Sequence, residues 1–376
     1  MKKMVWFVCT LALIVACLAP ASAFAAPQKP RTAVIIDADT GVDDAAALAY
    51  LLNSPEANIL GITTVAGNTS IENATNNVLV FLDAANRRDI PVVMGASAPL
   101  VVAASHQGMF VHGPDGLWGL GFQNPHDLSH LSHDATGFLC AKAQSDVTLL
   151  ALGPLTNIAK AVQTCPDKMH LYKIVWLGGA KSAAGEGNTP VSVFNPWFDP
   201  DAANVVLRSG VQLTMVSTDA ARAVELDPDV FTALARRGNT LGKLVAGPLQ
   251  VYASVVQTTN RFGKPRVALF DPTAAVAVLH PDYITDQQSG LVVMDPTASF
   301  PTRGQTVVAL TMPEKLSTIA NDTELSALAD QAMSDPNFDL PGALGAILMR
   351  QPDNAQVVMK VNTLKVRLDW LKALIF

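Results

Sequence analysis

Short apolar runs rich in β-branched residues alternate along this chain with longer helix-forming segments, and that alternation limits the fold more than any other feature. Ala33-Val34-Ile35-Ile36-Asp37, Ile59 to Val65, Ile90 to Met94, Val147 to Leu152, Ile174 to Leu177 and Leu213 to Val216 read as strands. Asp43 to Leu52, Ile71 to Asn86 and the stretches 154–163, 199–208 and 241–260 read as helices between or after them. Strands that alternate with helices predict an α/β fold, with a mostly parallel central sheet flanked by helices. Ligands of such sheets bind beyond the carboxyl ends of the strands. The residues that follow each strand are therefore where the active site is expected.

Composition supports a large folded core. Of 376 residues, 49% are hydrophobic and 15% charged, which argues against disorder. The formal net charge is −6 and there is no basic tract, so a phosphate-tracking nucleic-acid surface is not expected. Lys2 and Lys3, the apolar run Val5 to Ala16 and the small residues Ala21-Ser22-Ala23 and Ala23-Phe24-Ala25 form a secretory signal peptide over residues 1–26. The run is short for a bilayer span, and no later segment reads as a transmembrane helix. The protein is therefore expected to be exported, periplasmic or extracellular. Ile14-Val15-Ala16-Cys17 also has the form of a lipobox, which would leave a lipid anchor on Cys17.

Residues 27–376 are expected to form one domain. Residues 314–353, broken by Asp335-Pro336, Pro341 and Gln351-Pro352, read as an insertion with one or two helices between strand-like runs at 306–311 and 355–360. In the body of the chain Cys140 and Cys165 either pair in an oxidising compartment or remain buried thiols.

Asp37-Ala38-Asp39-Thr40-Gly41-Val42-Asp43-Asp44 carries the chemistry. Four carboxylates fall within eight residues, directly after a strand and opening a helix. A cap needs one carboxylate, not four. Like charges packed at one strand end are costly without a cation. An all-oxygen donor set suits a hard ion, Ca²⁺ or Mg²⁺.

With the segments that follow it, this motif resembles the inosine–uridine-preferring nucleoside hydrolases. Leu60-Gly61-Ile62-Thr63-Thr64-Val65-Ala66-Gly67-Asn68, His112-Gly113-Pro114-Asp115-Gly116-Leu117 and Leu152-Gly153-Pro154-Leu155-Thr156-Asn157 continue the resemblance in order. Gly178-Gly179, Gly187-Asn188-Thr189-Pro190, Phe194-Asn195, Asp271-Pro272 and Thr302-Arg303-Gly304-Gln305-Thr306 extend it, so that it runs from about residue 33 to 311. The resemblance implies hydrolysis of the N-glycosidic bond of ribonucleosides. It implies Ca²⁺ held by Asp39, Asp44, Asp271 and the carbonyl of Leu152, with Asp39 as the base that deprotonates a metal-positioned water. It implies that Asp43, Asn195 and Asn188 hold ribose hydroxyls, that Asn68 supports the metal-side network, and that dimers or tetramers are common. His112 in its Gly-rich loop reads as a substrate contact or as a local structural hydrogen bond.

Three positions depart from the family pattern. Val193 stands where a Glu often precedes Phe-Asn, with Glu186 as a compensating acid. Phe270 replaces a His that serves the leaving base, and it would stack on the base instead. Thr218-Asp219-Ala220-Ala221-Arg222 replaces a Thr-His segment, with Arg222 either taking the place of the His or sitting on the surface. Phe110, Trp118 and Trp197 are further candidate stackers or core residues. His126, His130 and His133 read as a metal site or as a polar connection. Two other functions stay open: a nucleoside-binding protein without turnover, and a phosphohydrolase with Asp37 of the DxDxT pattern as nucleophile.

Overall fold

The computed structural model describes residues 30–106, 108–182, 189–259, 263–297 and 301–376. The expected leader over 1–26, with Cys17, lies outside them, as do Glu186 and Asn188. Thr32–Phe376 form one compact unit.

Among the described residues, eight of the nine strands of the main sheet fall on runs that the sequence reads as strands, β10 being the exception. The strands are β1 (Thr32–Ala38), β2 (Ala57–Thr64), β3 (Val92–Met94), β4 (Val147–Ala151), β5 (Lys173–Leu177), β6 (Gln212–Val216), β10 (Ile284–Met294), β11 (Thr306–Ala309) and β12 (Ala355–Val361). Between β6 and β10 the chain forms a separate three-stranded sheet from β7 (Glu225–Leu226), β8 (Thr258–Thr259) and β9 (Pro265–Ala268), in the order β7-β9-β8. The main sheet runs β11-β10-β12-β6-β5-β4-β1-β2-β3. It is parallel from β12 to β3, and only β10 pairs antiparallel, with β12 and β11. The expected α/β architecture is thus present, with an antiparallel edge.

Both faces of the sheet are covered. Val34, Ile36 and Ala38 of β1 and Leu150 of β4 pack into one hydrophobic core, and Ile35, Leu149 and Ala151 into the other. Strands buried on both sides need apolar side chains at successive positions, which explains the uniform runs. The chain leaves β1 toward β2 and β3 on one side and later fills β4, β5 and β6 on the other. The strand order therefore reverses between β1 and β4, where the carboxyl ends open a crevice. Leu152 donates its backbone N–H to the Asp37 carbonyl across that seam at 2.9 Å.

The least regular stretch carries three helices rather than one or two: Met312–Ile319, Asp322–Ser334 and Leu340–Leu348. Pro336 and Pro341 end and restart helices there instead of abolishing them. The Ile71–Asn86 helix stops at Ala84, and the 241–260 helix at Val256.

Cys140 and Cys165 form a disulfide that ties the Ala135–Lys142 helix to the end of the Thr156–Thr164 helix. Closing a 25-residue separation removes unfolded-state freedom worth about 3 kcal/mol. Cys140→Ser is accordingly expected to lower the thermal midpoint by several degrees in non-reducing buffer. Equal midpoints for variant and parent would show that the bond contributes nothing.

Candidate active site

The helix Val42–Asn53 starts where β1 ends, and its first turn is built around a close approach. Gly41 is the N-cap, its N–H donating to Asp44 Oδ2 at 3.0 Å. A Cβ on Gly41 would lie 2.6 Å from His112 Nδ1 and 2.8 Å from Asn68 Nδ2, so only glycine lets these two side chains reach the motif. Asn68 follows β2, and its side-chain amide donates to Asp44 Oδ2 at 2.8 Å. Its backbone N–H donates to Asp39 Oδ2 at 2.7 Å.

The four carboxylates of the motif separate into two groups. Asp37 lies under the sheet end, fully buried, accepting from Thr63 Oγ1 and from Asn157 Nδ2 on one oxygen. Burial pushes its carboxyl up to about 6. Asp37, like Asp39 and Asp44, is not among the residues that line the cavity, and Thr63 and Asn157 hold its Oδ1. Asp43 lines the crevice, while Asp39 and Asp44 are buried; each of the three has a buried Oδ1 without a hydrogen-bond partner, as does Asp37 at Oδ2. Asp271 joins them from the first turn of the helix Phe270–Leu279.

Oxygens of Asp43, Asp44 and Asp271 lie within 4.8 Å of one another, a grouping that can hold a metal ion. Asp39 stands beside this trio and acts on Asp271 electrostatically. Burial, then the Asp43 charge, pushes Asp44 up to about 6, and burial alone raises Asp43 to about 6. Asp39 is held well above the usual carboxylate range by burial and then by Asp44, and Asp271 by burial and then by Asp43, Asp44 and Asp39. Without a cation these groups resist ionising together.

Asp43 and Asp271 form one end of a cavity of about 590 Å³. Asp43, Asn68, His112, Leu152, Asn195, Phe270 and Asp271 all line it. Asn195 Nδ2 donates to the carbonyls of Leu152 at 2.5 Å and Leu177 at 2.9 Å, bridging the ends of β4 and β5. Its Oδ1 is thereby left as the acceptor for a ligand. A carbonyl has two lone pairs, so the bond from Asn195 leaves one on Leu152 for a cation.

His112 Nδ1 accepts the Val42 backbone N–H at 3.1 Å. A neutral imidazole with Nδ1 as acceptor carries its proton on Nε2. Burial depresses His112 to about 4, against a smaller opposing pull from Asp44. The 3.7 Å approach of Nδ1 to Asp43 is therefore not an ion pair at neutral pH.

The structure separates readings that the sequence left open. Of the candidate stackers, Phe110 and Phe270 line the cavity, whereas Trp197 packs into a small core with Phe198 and Trp118 packs against the main core. Their spacing in the chain does not distinguish these fates. His126 bonds Asn76 and Asp83, and among the described residues it forms no metal-binding group with His130 and His133. Val193, 6% exposed, lines the cavity as an apolar wall. Tyr252 was not legible as a site residue. Tyr252 stacks on His112 with ring centroids 5.7 Å apart, and the buried Thr218 hydroxyl faces the cavity without a hydrogen-bond partner. Tyr252 looks like any core residue of its helix until the tertiary contact is known.

Close packing around Asp39 has a testable consequence. A Cβ on Gly67 would lie 2.0 Å from Asp39 Oδ2, where Asn68 donates. Gly67→Ala is expected to cut kcat by about 100-fold by displacing that carboxylate, with circular dichroism unchanged. Activity within about twofold of the parent would show that Asp39 position does not matter.

Comparison with known proteins agrees with this geometry. Residues 34–367 match the family model described as inosine-uridine preferring nucleoside hydrolase. Uridine nucleosidase 1 of Arabidopsis thaliana is 36% identical over 257 residues, 67% of this chain and 75% of that protein. The non-specific ribonucleoside hydrolase RihC of Escherichia fergusonii is 36% identical over 282 residues, 74% of this chain and 88% of its own. Among solved structures, a plant nucleoside hydrolase superposes with a TM-score of 0.73 at 28% identity, covering 92% of this chain and 99% of its own. A purine-preferring ribonucleoside hydrolase from Gardnerella vaginalis gives 0.71 at 25% identity, covering 90% and 97%.

Proposed function

The chain belongs to the inosine-uridine preferring nucleoside hydrolase family, and on that premise we propose that the acidic end of its cavity holds Ca²⁺ and the ribose, with Asp39 as catalytic base. The protein hydrolyses the N-glycosidic bond of ribonucleosides, releasing free base and ribose. The observation that carries the proposal is the set of buried, unpartnered oxygens on Asp39, Asp43 and Asp44. Buried carboxylate oxygens left without donors fit a cation, and an all-oxygen set fits a hard one.

Asp39, Asp44, Asp271 and the Leu152 carbonyl would hold the ion. Asp43 is the carboxylate with the more exposed side chain, 16%, and is assigned to ribose hydroxyls with Asn195 Oδ1. Asn188, outside the described residues, would assist them. When bound, the ion orients a water and lowers its pKa.

Asp39 Oδ2 is held by the Asn68 N–H, which leaves Oδ1 to accept the proton as the water oxygen bonds to the anomeric carbon. The carbon–nitrogen bond breaks and its electron pair passes to the base. The surrounding carboxylates stabilise the positive charge that develops on the sugar. Phe270 cannot donate to the departing base but offers a ring to stack on it. The neutral His112 can donate a hydrogen bond from Nε2, while the proton the base finally takes comes from solvent.

The leader pattern and the Cys140–Cys165 disulfide support export into an oxidising compartment. Among the described residues no helix is long and apolar enough to cross a membrane.

The test is ribose release from a panel of nucleosides after chelation and after Ca²⁺ or Mg²⁺ is restored. Recovery with Ca²⁺ is expected. No release from any nucleoside with Ca²⁺ would overturn the reading, and release that survives exhaustive chelation would remove the ion from it.

A further inference from the structure

The two helices whose first turns carry carboxylates of the site are joined again at their opposite ends. Asp43 and Asp44 open the helix Val42–Asn53, and Asp271 lies in the first turn of Phe270–Leu279. Tyr50 stands six residues beyond Asp44, about 9 Å along its helix. His280 caps the second helix nine residues beyond Asp271, about 13 Å along. Both meet one oxygen of the C-terminal helix Thr363–Ile375. The Tyr50 hydroxyl donates to Asp369 Oδ2 at 2.6 Å, and His280 Nε2 lies 3.0 Å from the same oxygen. One residue on, the Trp370 indole N–H donates to the Ala46 carbonyl of the first helix at 3.0 Å. Tyr50 and Trp370 are buried and Asp369 is half-buried, so water competes little for these bonds.

We infer that Asp369 is a positioning residue for the cation site: by clasping the two helices at their far ends, it sets the separation of the carboxylates at their near ends. This rests on the reading of Asp44 and Asp271 as cation ligands. Once ionised, Asp43, Asp44 and Asp271 repel one another, so the near ends push the helices apart rather than hold them. Between the ends the two helices pack against each other, and both are rich in buried alanine: Ala45, Ala46 and Ala49 on one, Ala274, Ala275 and Ala277 on the other. Short side chains let helix axes come close but interlock weakly, so the register between these helices is soft. The shared Asp369 oxygen fixes it without any like-charge contact. His280 is held in place there by stacking on Tyr283, with ring centroids 4.8 Å apart. Asp369 touches neither ion nor substrate and acts only through the two helices. A cation then meets ligands already spaced for it, and less of its binding free energy goes into drawing them together.

The experiment is calorimetric titration of the chelator-stripped protein with Ca²⁺ at neutral pH, beside kcat at saturating Ca²⁺, for the parent, Asp369→Ala, Asp369→Asn, Tyr50→Phe and Cys140→Ser. Asp369→Ala is expected to weaken Ca²⁺ binding about tenfold or more, while kcat at saturating Ca²⁺ stays within about threefold of the parent. Asp369→Asn keeps an oxygen that can accept both bonds, so its affinity should stay close to that of the parent. Tyr50→Phe removes one bond and leaves the ring in the core, and it should weaken binding by about threefold or more. Cys140→Ser lowers stability beside the other core and should leave the affinity unchanged. Parental Ca²⁺ affinity in Asp369→Ala and Tyr50→Phe overturns the inference while leaving the ion reading intact. So does an equal loss in Cys140→Ser, which would make the effect one of general stability. Should Asp369→Ala fail to fold, Tyr50→Phe decides in the same way. A parent that binds no Ca²⁺ overturns the ion reading, and the inference with it.

Discussion

Asp39→Ala is expected to lower kcat for ribose release by about 10³-fold or more, with KM changed much less. Asp39 combines full burial, an Oδ2 locked by the Asn68 N–H and an Oδ1 with no partner. A base so held loses little entropy in accepting a proton and cannot be replaced by bulk water at the same geometry. Asp39→Asn keeps the acceptor for Asn68 but cannot take a proton, so it should lose nearly as much rate as alanine while the fold is unchanged. Single-turnover ribose release separates the effect on chemistry from product release. Turnover within tenfold of the parent for both variants would remove Asp39 from the base role.

Removal of the cation is expected to abolish turnover and also to destabilise the protein in a pH-dependent way. The sign follows from the carboxyls. In the unfolded chain an Asp ionises near 4, whereas in the cation-free fold Asp43 and Asp44 are raised to about 6. Between these values the unfolded chain releases protons that the fold retains, so stability falls as pH rises from about 4 to about 6 and stays low above. A bound cation favours the ionised form and reverses that loss. Added Ca²⁺ should therefore raise the thermal midpoint strongly near pH 7.5 and only weakly near pH 5, and its binding should release protons in the acidic range. Calorimetry at the two pH values measures this. An equal Ca²⁺ shift at both would mean that the buried carboxylates are not where the ion binds.

Much of the site was legible because it is local. Asp39, Asp43 and Asp44 lie within one strand-to-helix turn, and the apolar character of β1 tells which end of the strand they occupy. Asp271 was legible only through the ordered resemblance, since Asp-Pro opening a helix has an ordinary capping explanation. The division of labour within the motif was not legible. Asp37 and Asp39 are two residues apart, yet Thr63 and Asn157 hold the first while the Asn68 N–H holds the second. Those partners come from positions 26 and 120 residues away, and no local pattern encodes such distances.

The outer half of the cavity depended still more on tertiary structure. Its wall includes β7 and β8, strands of two residues each, too short to leave a periodic signal. Tyr252 reads as one more apolar position of a helix until it stacks on His112. By itself the sequence determined the α/β class, the alternation of the first six strands with helices and the acidic turn after β1, because each is specified by side chains adjacent in the chain. Only the tertiary structure decided which carboxylate oxygens lack partners, which nitrogen of His112 carries the proton, and that Arg222 shares a cavity with Asp271. Those properties belong to contacts between distant segments, and they exist only once both cores have packed against the sheet.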